Sequence, residues 1–259
     1  MNKKRTKYKS ILLTGASGKL GKAIIGSGLF PSILIPSSQQ LDITKSEQIE
    51  AYFRDHKIDA IIHCAAIARP SECEKNPVKA IETNIIGTSN LVMEVINQNK
   101  LIKSSIRFIH ISTDGVYPST RGNYSERDET IPYNRYGWTK LGAECAVNLL
   151  SNFCIIRTSF FEPHNIKFDY SPIDLYSSKL PVNYLSKAIL TILESDFIGT
   201  INIGGERKSD YDRYKEFKAS LRPCKREDII KEINFKIYYD SSMNSDLWKN
   251  LASSDLGER

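Results

Sequence analysis

The chain has 259 residues, of which 41% are hydrophobic and 25% are charged, and its formal net charge is +6. This length suits one large α/β domain or a main domain with a smaller lobe, and the composition allows a core of useful size. Part of the positive charge lies in segment 2–9, NKKRTKYK, which we interpret as a solvated tail and not as a nucleic-acid arm, because no zinc spacing, helix-turn-helix pattern or aromatic-basic interleaving follows it.

The first part of the chain alternates between short apolar runs and helical patterns. The predicted strands are 10–14, 32–35, 59–64, 107–112 and 154–157. The predicted helices between them are 20–29, 46–54 (with Thr44 as N-cap), 77–97 and 136–150. Strands that are apolar on both faces and separated by helices predict a parallel sheet covered on both sides. The order βαβαβαβαβ is typical of a doubly wound Rossmann fold.

The pattern weakens after Thr158. The remaining predicted elements are a loop over 160–176, a helix over 182–194, a strand over 200–203, and a helical lobe with a strand near 235–239. We therefore predict an α/β protein with a dinucleotide-binding Rossmann domain over 1–160. A smaller C-terminal substrate lobe follows over 161–259, and its segment 182–204 returns to the Rossmann sheet.

Cysteine usage and hydropathy indicate the cellular setting. The five cysteines are scattered and form no CxxC motif, which predicts reduced thiols in a cytoplasmic protein. No apolar run approaches the roughly 20 residues of a membrane span, and no signal-peptide cleavage pattern is present. We expect no membrane or nucleic-acid partner. We also expect no metal, since His63, Cys64 and Cys73 lack zinc spacing.

A glycine-rich turn follows the first predicted strand. Its sequence, TGASGKLG over 14–21, has the pattern GxxGxxG. Gly15 allows the tight turn, Gly18 lets the backbone approach a pyrophosphate, and Gly21 permits close packing of helix on strand. The helix N-terminus then offers free N–H groups to phosphate. Between a strand and a helix, this pattern predicts a dinucleotide site.

The choice of dinucleotide depends on the stretch after the second strand. An acid there usually binds the ribose 2′-OH of NAD, but IPSSQQ over 35–40 has none. The short polar side chains of this stretch could tolerate a 2′-phosphate, although no arginine is there to pair with one. NADP(H) is therefore favoured, and NAD(H) stays an alternative. Asp42 is the nearest acid; it either begins a helix cap or contacts the adenine amino group.

The motif YGWTK places Tyr136 and Lys140 one helical turn apart. On a helix these positions share a face, and an ammonium beside a phenol favours the phenolate and lowers its pKa. Such a tyrosine exchanges a proton with a carbonyl or alcohol oxygen while hydride moves at carbon. Thr113 ends the fourth predicted strand at the edge where ligands bind, and there it could hydrogen-bond the reacting oxygen. His63 and His110 we interpret as packed strand histidines.

Together these motifs resemble those of the extended short-chain dehydrogenase/reductases, in the branch that is similar to dTDP-4-dehydrorhamnose reductase. The matching stretches cover most of residues 10–160. They are TGASGKLG (14–21), LDIT (41–44), HCAAIARPSECEKNP (63–77), ETNIIGTSNL around Asn84, HISTDGVYP (110–118), NYSERDETIPYNRYGWTKLGAE (123–144) and IIRTSF (155–160).

The resemblance implies roles for the matching residues. The catalytic group is Thr113, Tyr136 and Lys140. Cofactor contacts are Gly15, Ser17, Gly18, Lys19, Leu20, Gly21, Asp42, Ile43, Ala65, Ala66, Ala68, Asn84, Tyr136, Lys140 and Thr158. Substrate contacts are Arg69, Asp114, Val116 and Tyr117.

The resemblance also implies an NAD(P)H-dependent reductase of a nucleotide-diphosphate-linked 4-keto-6-deoxy sugar. A sugar-nucleotide epimerase or dehydratase on the same scaffold is one alternative. A non-catalytic dinucleotide-binding subunit that regulates a partner enzyme is another, because the segment between Phe160 and Val182 is shorter than in the family. A homodimer is left open.

Overall fold

The computed structural model describes residues 6–102, 105–230 and 236–257. Its first part alternates strands and helices as expected. The elements are β1 (Ile11–Thr14), α1 (Lys19–Gly26), β2 (Ile33–Leu34), α2 (Ser46–Asp55), β3 (Ala60–His63), α3 (Pro70–Lys75), α4 (Pro77–Ile81), a π-helical turn (Glu82–Ile86), α5 (Gly87–Ile102), β4 (Arg107–Thr113), a 3₁₀ turn (Asp114–Val116), α6 (Arg135–Val147) and β5 (Phe153–Thr158).

The second part consists mainly of short elements. They are β6 (Phe160–Phe161), β7 (Tyr170–Pro172), β8 (Tyr176–Ser177), β9 (Leu180–Pro181), α7 (Val182–Glu194), β10 (Gly199–Ile203), β11 (Lys208–Ser209), α8 (Asp210–Lys215), β12 (Arg222–Cys224), α9 (Arg226–Ile230) and α10 (Asp246–Gly257). Among the described residues no helix has the length and apolar content that a bilayer span requires.

Six parallel strands form the central sheet in the order β10-β5-β4-β3-β1-β2. Successive residues of a strand point to opposite faces, so each buried strand supplies both cores. In β1, for example, Ile11 and Leu13 join the core under α1, α7 and α10, whereas Leu12 joins the core under α2, α5 and α6. The predicted doubly wound parallel sheet is confirmed.

Several local predictions differ from the structure. The single helix predicted over 77–97 is broken by the π-helical turn into α4 and α5. The loop predicted over 160–176 contains β6, β7 and the start of β8, each too short to show an apolar period. Thr44 is not the N-cap of α2: Lys45 occupies that position, and the Thr44 hydroxyl donates to Asp42.

The C-terminal region differs from a separate helical lobe. Phe235, in the strand predicted near 235–239, lies outside the described residues, and 236–239 form no strand. Helix α10 packs on the central sheet, where Trp248 is buried in the same core as β1. The Trp248 indole N–H donates to the Tyr184 hydroxyl of α7 at 3.2 Å.

Candidate active site

A crevice opens where the strand order reverses. The chain passes from β1 to β2 on one side and then crosses to β3 on the other side of β1, so the loops after β1 and β3 diverge at their carboxyl ends. Open α/β sheets bind ligands at this position. A cavity of about 660 Å³ lies there. It is lined by Thr14, Gly15, Ala16, Ser17, Ile25, Ile35, Pro36, Ser37, Ser38, Gln40, Leu41, Asp42, Ile43, Thr44, Ala65, Ala66 and Thr83.

The glycine-rich turn needs its glycines for close approach. Gly15 has φ +73°, and a Cβ there would lie 2.6 Å from the Cys64 carbonyl carbon. A Cβ on Gly21 would lie 2.6 Å from Ala16 Cα. Helix α1 therefore starts hard against the turn with Gly18 as N-cap, and among the described residues no side chain caps it. Its first N–H groups are left for an anion.

The other predicted cofactor contacts occupy different positions around the crevice. Lys19 is turned away from it, since its Nζ forms a 2.9 Å ion pair with Glu162 after β6. Asp42 Oδ1 accepts from the Thr44 amide at 2.9 Å and the Thr44 hydroxyl at 2.8 Å. Thr158 is buried and donates to the Ile203 carbonyl oxygen at 2.8 Å. Ala68 is exposed beyond the cavity lining.

Tyr136 reaches the end of β4 because α6 packs closely against it. Asn134 caps the helix by accepting from the Gly137 amide at 2.9 Å. A Cβ on Gly137 would lie 2.8 Å from Pro132 Cβ and 3.1 Å from the Gly115 carbonyl carbon, so only a glycine allows this contact. The Tyr136 phenol consequently lies beside the Thr113 hydroxyl and the Asp114 carboxylate at the carboxyl edge of the sheet.

Electrostatics around Tyr136 differ from our expectation. Burial, opposed in part by the neighbouring Thr113 hydroxyl and helped by the charge of Asp114, raises the pKa of the Tyr136 phenol above its usual value. The predicted lowering of this pKa by Lys140 is therefore wrong for the chain without ligand, because burial dominates and Lys140 is not among the charges that act on the phenol. The phenol is protonated at neutral pH.

Lys140 is almost fully buried, with 3% of its surface exposed. Its Nζ lies 3.2 Å from His110 Nε2 of β4. Burial lowers the pKa of Lys140 to about 8, against the opposing charges of Glu144 and Cys64.

Asn84 connects the loop after β3 to helix α6 by hydrogen bonds. It lies in the π-helical turn, a feature often found at functional sites. Its Oδ1 accepts from the Ile67 amide at 2.8 Å, and its Nδ2 donates to the Ile67 carbonyl at 3.1 Å and to the Thr139 hydroxyl at 2.8 Å. The Thr139 hydroxyl in turn donates to the Tyr136 carbonyl oxygen at 2.8 Å.

A second polar chain runs from β1 to the same turn through His63. The Thr88 hydroxyl donates to the Asn84 carbonyl at 2.7 Å, so it must accept the proton of His63 Nε2 at 2.9 Å. His63 Nδ1 is then an acceptor, and the Thr14 hydroxyl donates to it at 2.6 Å. Burial and the charge of Lys140 lower the pKa of His63 to about 3, so the ring is neutral. The prediction of a packed strand histidine is confirmed.

An ion pair is buried beneath the site. Arg157 Nη2 lies 2.7 Å from Glu144 Oε2, and Ser112 donates to Glu144 Oε1 at 2.5 Å. Arg157 also donates to the Tyr117 hydroxyl at 2.9 Å, which donates to Asn202 Oδ1 of β10 at 2.9 Å. The network joins α6 to β4, β5 and β10.

The predicted substrate contacts do not share one surface. Val116 and Tyr117 have no exposed surface, so neither side chain meets a ligand unless this segment opens. Arg69 is exposed at the N-terminus of α3. Asp114 is buried, accepting from Thr113 at 3.1 Å and from Ser241 at 2.8 Å.

Sequence reasoning missed the C-terminal residues that reach this edge of the sheet. Beside the Ser241–Asp114 contact, Lys179 Nζ lies 2.8 Å from Asp210 Oδ2 and donates to the Tyr238 hydroxyl at 2.6 Å. The Tyr238 ring packs edge-on against Tyr133, with centroids 6.4 Å apart. No local pattern marks these residues, because they lie far apart in sequence, in or between short elements of the second part of the chain.

The family described as RmlD substrate binding domain matches residues 9–168. The chain belongs to this family. A dTDP-4-keto-6-deoxy-D-glucose reductase from Streptomyces niveus is 34% identical over 163 residues, which cover 61% of this chain and 54% of that protein.

Two further relatives show how far the likeness of this RmlD-family chain extends. Methionine adenosyltransferase 2 subunit beta from Rattus norvegicus is 32% identical over 148 residues, covering 53% of this chain and 42% of that protein. The chain thus spans about half the length of the curated relatives it matches. The fold is that of the dTDP-4-dehydrorhamnose reductase from Bacillus anthracis solved with NADP, with a TM-score of 0.82, 22% identity, and coverage of 97% of this chain and 99% of that one.

Proposed function

We propose that the chain is an NAD(P)H-dependent reductase of a nucleotide-diphosphate-linked 4-keto-6-deoxy sugar. The observation that carries this is the placement of a protonated Tyr136 beside Thr113 and Asp114 at the carboxyl edge of the sheet, next to a crevice suited to a dinucleotide. Family membership and the named activity of the Streptomyces niveus relative support the same reaction.

Each group at the site has its own role in this reduction. A bound nicotinamide cofactor supplies hydride to the keto carbon. Gly15 and Gly21 let the turn pack closely against the backbone after β3 and against α1, and the α1 N-terminus binds the pyrophosphate. Thr113 orients the keto oxygen, and Tyr136 donates its proton to that oxygen as it gains negative charge. Lys140 stabilises the phenolate that remains.

We further propose NADP(H) as the favoured cofactor, with NAD(H) as the alternative. The cavity wall at 35–40 presents hydroxyl and amide groups from Ser37, Ser38 and Gln40, and these tolerate a 2′-phosphate. The carboxylate of Asp42 is engaged with Thr44. The dissociation constants of NADPH and NADH, measured by fluorescence, test this; tighter binding of NADH contradicts it.

The proposed substrate pocket lies at the carboxyl edge of the sheet, around Asp114 and the C-terminal residues that reach it. Arg69 is exposed at the N-terminus of α3, where its guanidinium would bind the diphosphate of a nucleotide sugar. The division into a cofactor domain over 1–160 and a substrate part over 161–259 stays a prediction, as does a homodimer, which light scattering of the purified chain tests.

The decisive experiment is NADPH and NADH oxidation with a panel of dTDP- and UDP-linked 4-keto-6-deoxy sugars. We expect turnover with at least one member. Tyr136→Phe should lose about 10²-fold or more in kcat while keeping cofactor affinity. Tyr52→Phe, which removes a hydroxyl from α2, is the matched control and should keep kcat. Cofactor binding without oxidation by any member refutes the proposal.

Two other functions use the same scaffold. An epimerase or dehydratase would retain its NAD(H) and show no net cofactor turnover. A regulatory, non-catalytic dinucleotide-binding subunit is favoured by the likeness to methionine adenosyltransferase 2 subunit beta. In that case Tyr136→Phe leaves function untouched, and the effect is measured on a partner enzyme.

A further inference from the structure

His110 is a polar residue inside an apolar strand. It lies on β4 with no exposed surface, and it pairs in register with His63 of β3 and Ile155 of β5. A buried polar ring is costly unless its nitrogens are hydrogen-bonded. Only one of them is: Nε2 lies 3.2 Å from Lys140 Nζ, and Nδ1 is buried without a partner among the described residues.

The direction of this hydrogen bond follows from the chemistry of its two groups. An ammonium has only protons to offer, so Lys140 donates and His110 Nε2 accepts through its lone pair. The ring proton then lies on Nδ1, where it meets no acceptor. Burial, together with the charge of Lys140 and the neighbouring His63, holds the pKa of His110 well below its usual range. The ring is therefore a fixed, neutral acceptor.

The described residues around Lys140 offer its ammonium few other hydrogen-bond acceptors. Four titratable groups act on it or respond to its charge: His110 on β4, His63 on β3, Cys64 after β3 and Glu144 on α6. The Glu144 carboxylate is bound by Arg157 and Ser112, and burial raises the pKa of Cys64 to about 12, so that thiol is uncharged. The hydrogen-bond acceptor at Lys140 is therefore His110.

The described residues do not form a proton relay through the His110 ring. A relay needs a second partner to pass the proton on, and the described residues around Nδ1 supply none. The contact can hold a group in place but cannot carry a proton away.

We propose that His110 is a positioning residue, which accepts a hydrogen bond from Lys140 and keeps its buried ammonium charged and fixed between α6 and β4. The hydrogen bond itself is a property of the chain alone. Its catalytic consequence rests on the proposed reductase function, in which Lys140 must be charged to stabilise the Tyr136 phenolate.

The first test uses the unaltered chain. Nitrogen-15 histidine NMR reports which ring nitrogen carries the proton. We expect His110 to be the neutral Nδ1–H tautomer from pH 5.5 to 8, with Nε2 unprotonated. An Nε2–H tautomer or a charged ring overturns the proposal, and no variant has to fold for this result.

The second test measures Lys140 directly, by carbon-13 lysine NMR titration of the chain without cofactor. His110→Phe removes the acceptor and keeps a ring, so the titration midpoint of Lys140 should fall by about one pH unit, a tenfold weaker hold on the proton. His110→Gln restores an acceptor oxygen and should stay close to the original midpoint. Ile109→Val loosens the same strand away from Lys140 and is the control. Equal midpoints in His110→Phe and Ile109→Val overturn the proposal.

The third test separates this inference from the proposed function. In the reductase, His110→Phe should lower kcat by about tenfold or more with little change in the KM of the sugar. The alkaline limb of the pH profile of kcat should also move to lower pH. A uniform loss at every pH, with the limb in place, indicates a merely structural role and overturns the proposal. Without any reductase activity the proposed function fails, whereas the two NMR measurements still decide whether His110 holds Lys140.

Discussion

Gly137 lies inside the YGWTK motif, and its replacement by alanine tests how closely α6 must approach the end of β4. The new Cβ would lie 2.8 Å from Pro132 Cβ and clash with the Gly115 carbonyl. Carbon atoms in contact are about 3.5–4.0 Å apart, so the helix and the turn must separate by about 1 Å. A misplacement of this size at reacting groups costs about 10²-fold in rate.

Stability provides an independent measure of the same change. Alanine gains about 1 kcal/mol of helix propensity over glycine, whereas forcing a carbon into a packed contact costs about 1–3 kcal/mol. We therefore expect Gly137→Ala to lose about 10²-fold in kcat/KM and to be no more stable than the parent chain, by NADPH oxidation and urea unfolding.

The same helix offers a matched control. A Cβ on Gly142 meets the end of the Ile85 side chain, 2.9 Å from its Cδ1, and that side chain can turn away. Gly142→Ala should keep its activity and gain stability from helix propensity. If Gly137→Ala is as active and as stable as Gly142→Ala, the close contact does not position Tyr136 and the reasoning fails.

Three further predictions concern buried charges and thiols. Arg157→Met should destabilise the fold by about 3–5 kcal/mol in urea unfolding, because it leaves the Glu144 carboxylate buried and unpaired; a loss below about 1 kcal/mol contradicts this. His63, whose pKa is lowered to about 3, binds its proton more weakly in the folded state than in the unfolded state. Its contribution to stability is therefore present above about pH 6.5 and lost as the pH falls toward 3, at up to about 1.4 kcal/mol per pH unit; unfolding free energies from pH 7 to 4 that show no such fall would refute it. Cys145 is exposed, whereas burial raises the pKa of Cys154 to about 12. A thiol reagent at pH 7.5 should modify Cys145 rapidly and Cys154 only on unfolding, as peptide mapping can show.

The order of strands and helices could be predicted from sequence because each buried strand is apolar on both faces, as Ile11, Leu12 and Leu13 show. The π-helical turn could not be predicted from the sequence. The residues around Asn84 continue a helical pattern, and the reason for the extra residue, a pair of hydrogen bonds to the Ile67 backbone, exists only once the loop after β3 is in place.

The candidate site was predictable to a similar degree. The spacing of Tyr136 and Lys140 follows from helix periodicity, but the direction of the phenol's pKa depends on burial, which spacing does not reveal. His110 carries a usable signal, because it alternates with apolar neighbours and shares the face of β4 that meets α6. Its pairing with Lys140 depends on how α6 lies against that strand.

The position of helix α10 late in the chain has a consequence for folding during translation. Helix α10 packs against β10 and α7, and Trp248 shares a core with Ile201 and Ile203 of β10, so these strand residues wait for a partner that is translated about 45 positions later. At about 5–20 residues per second, the wait is on the order of 2–10 s. During that time one face of the nascent sheet has no complete cover, and it is a natural substrate for ribosome-associated chaperones.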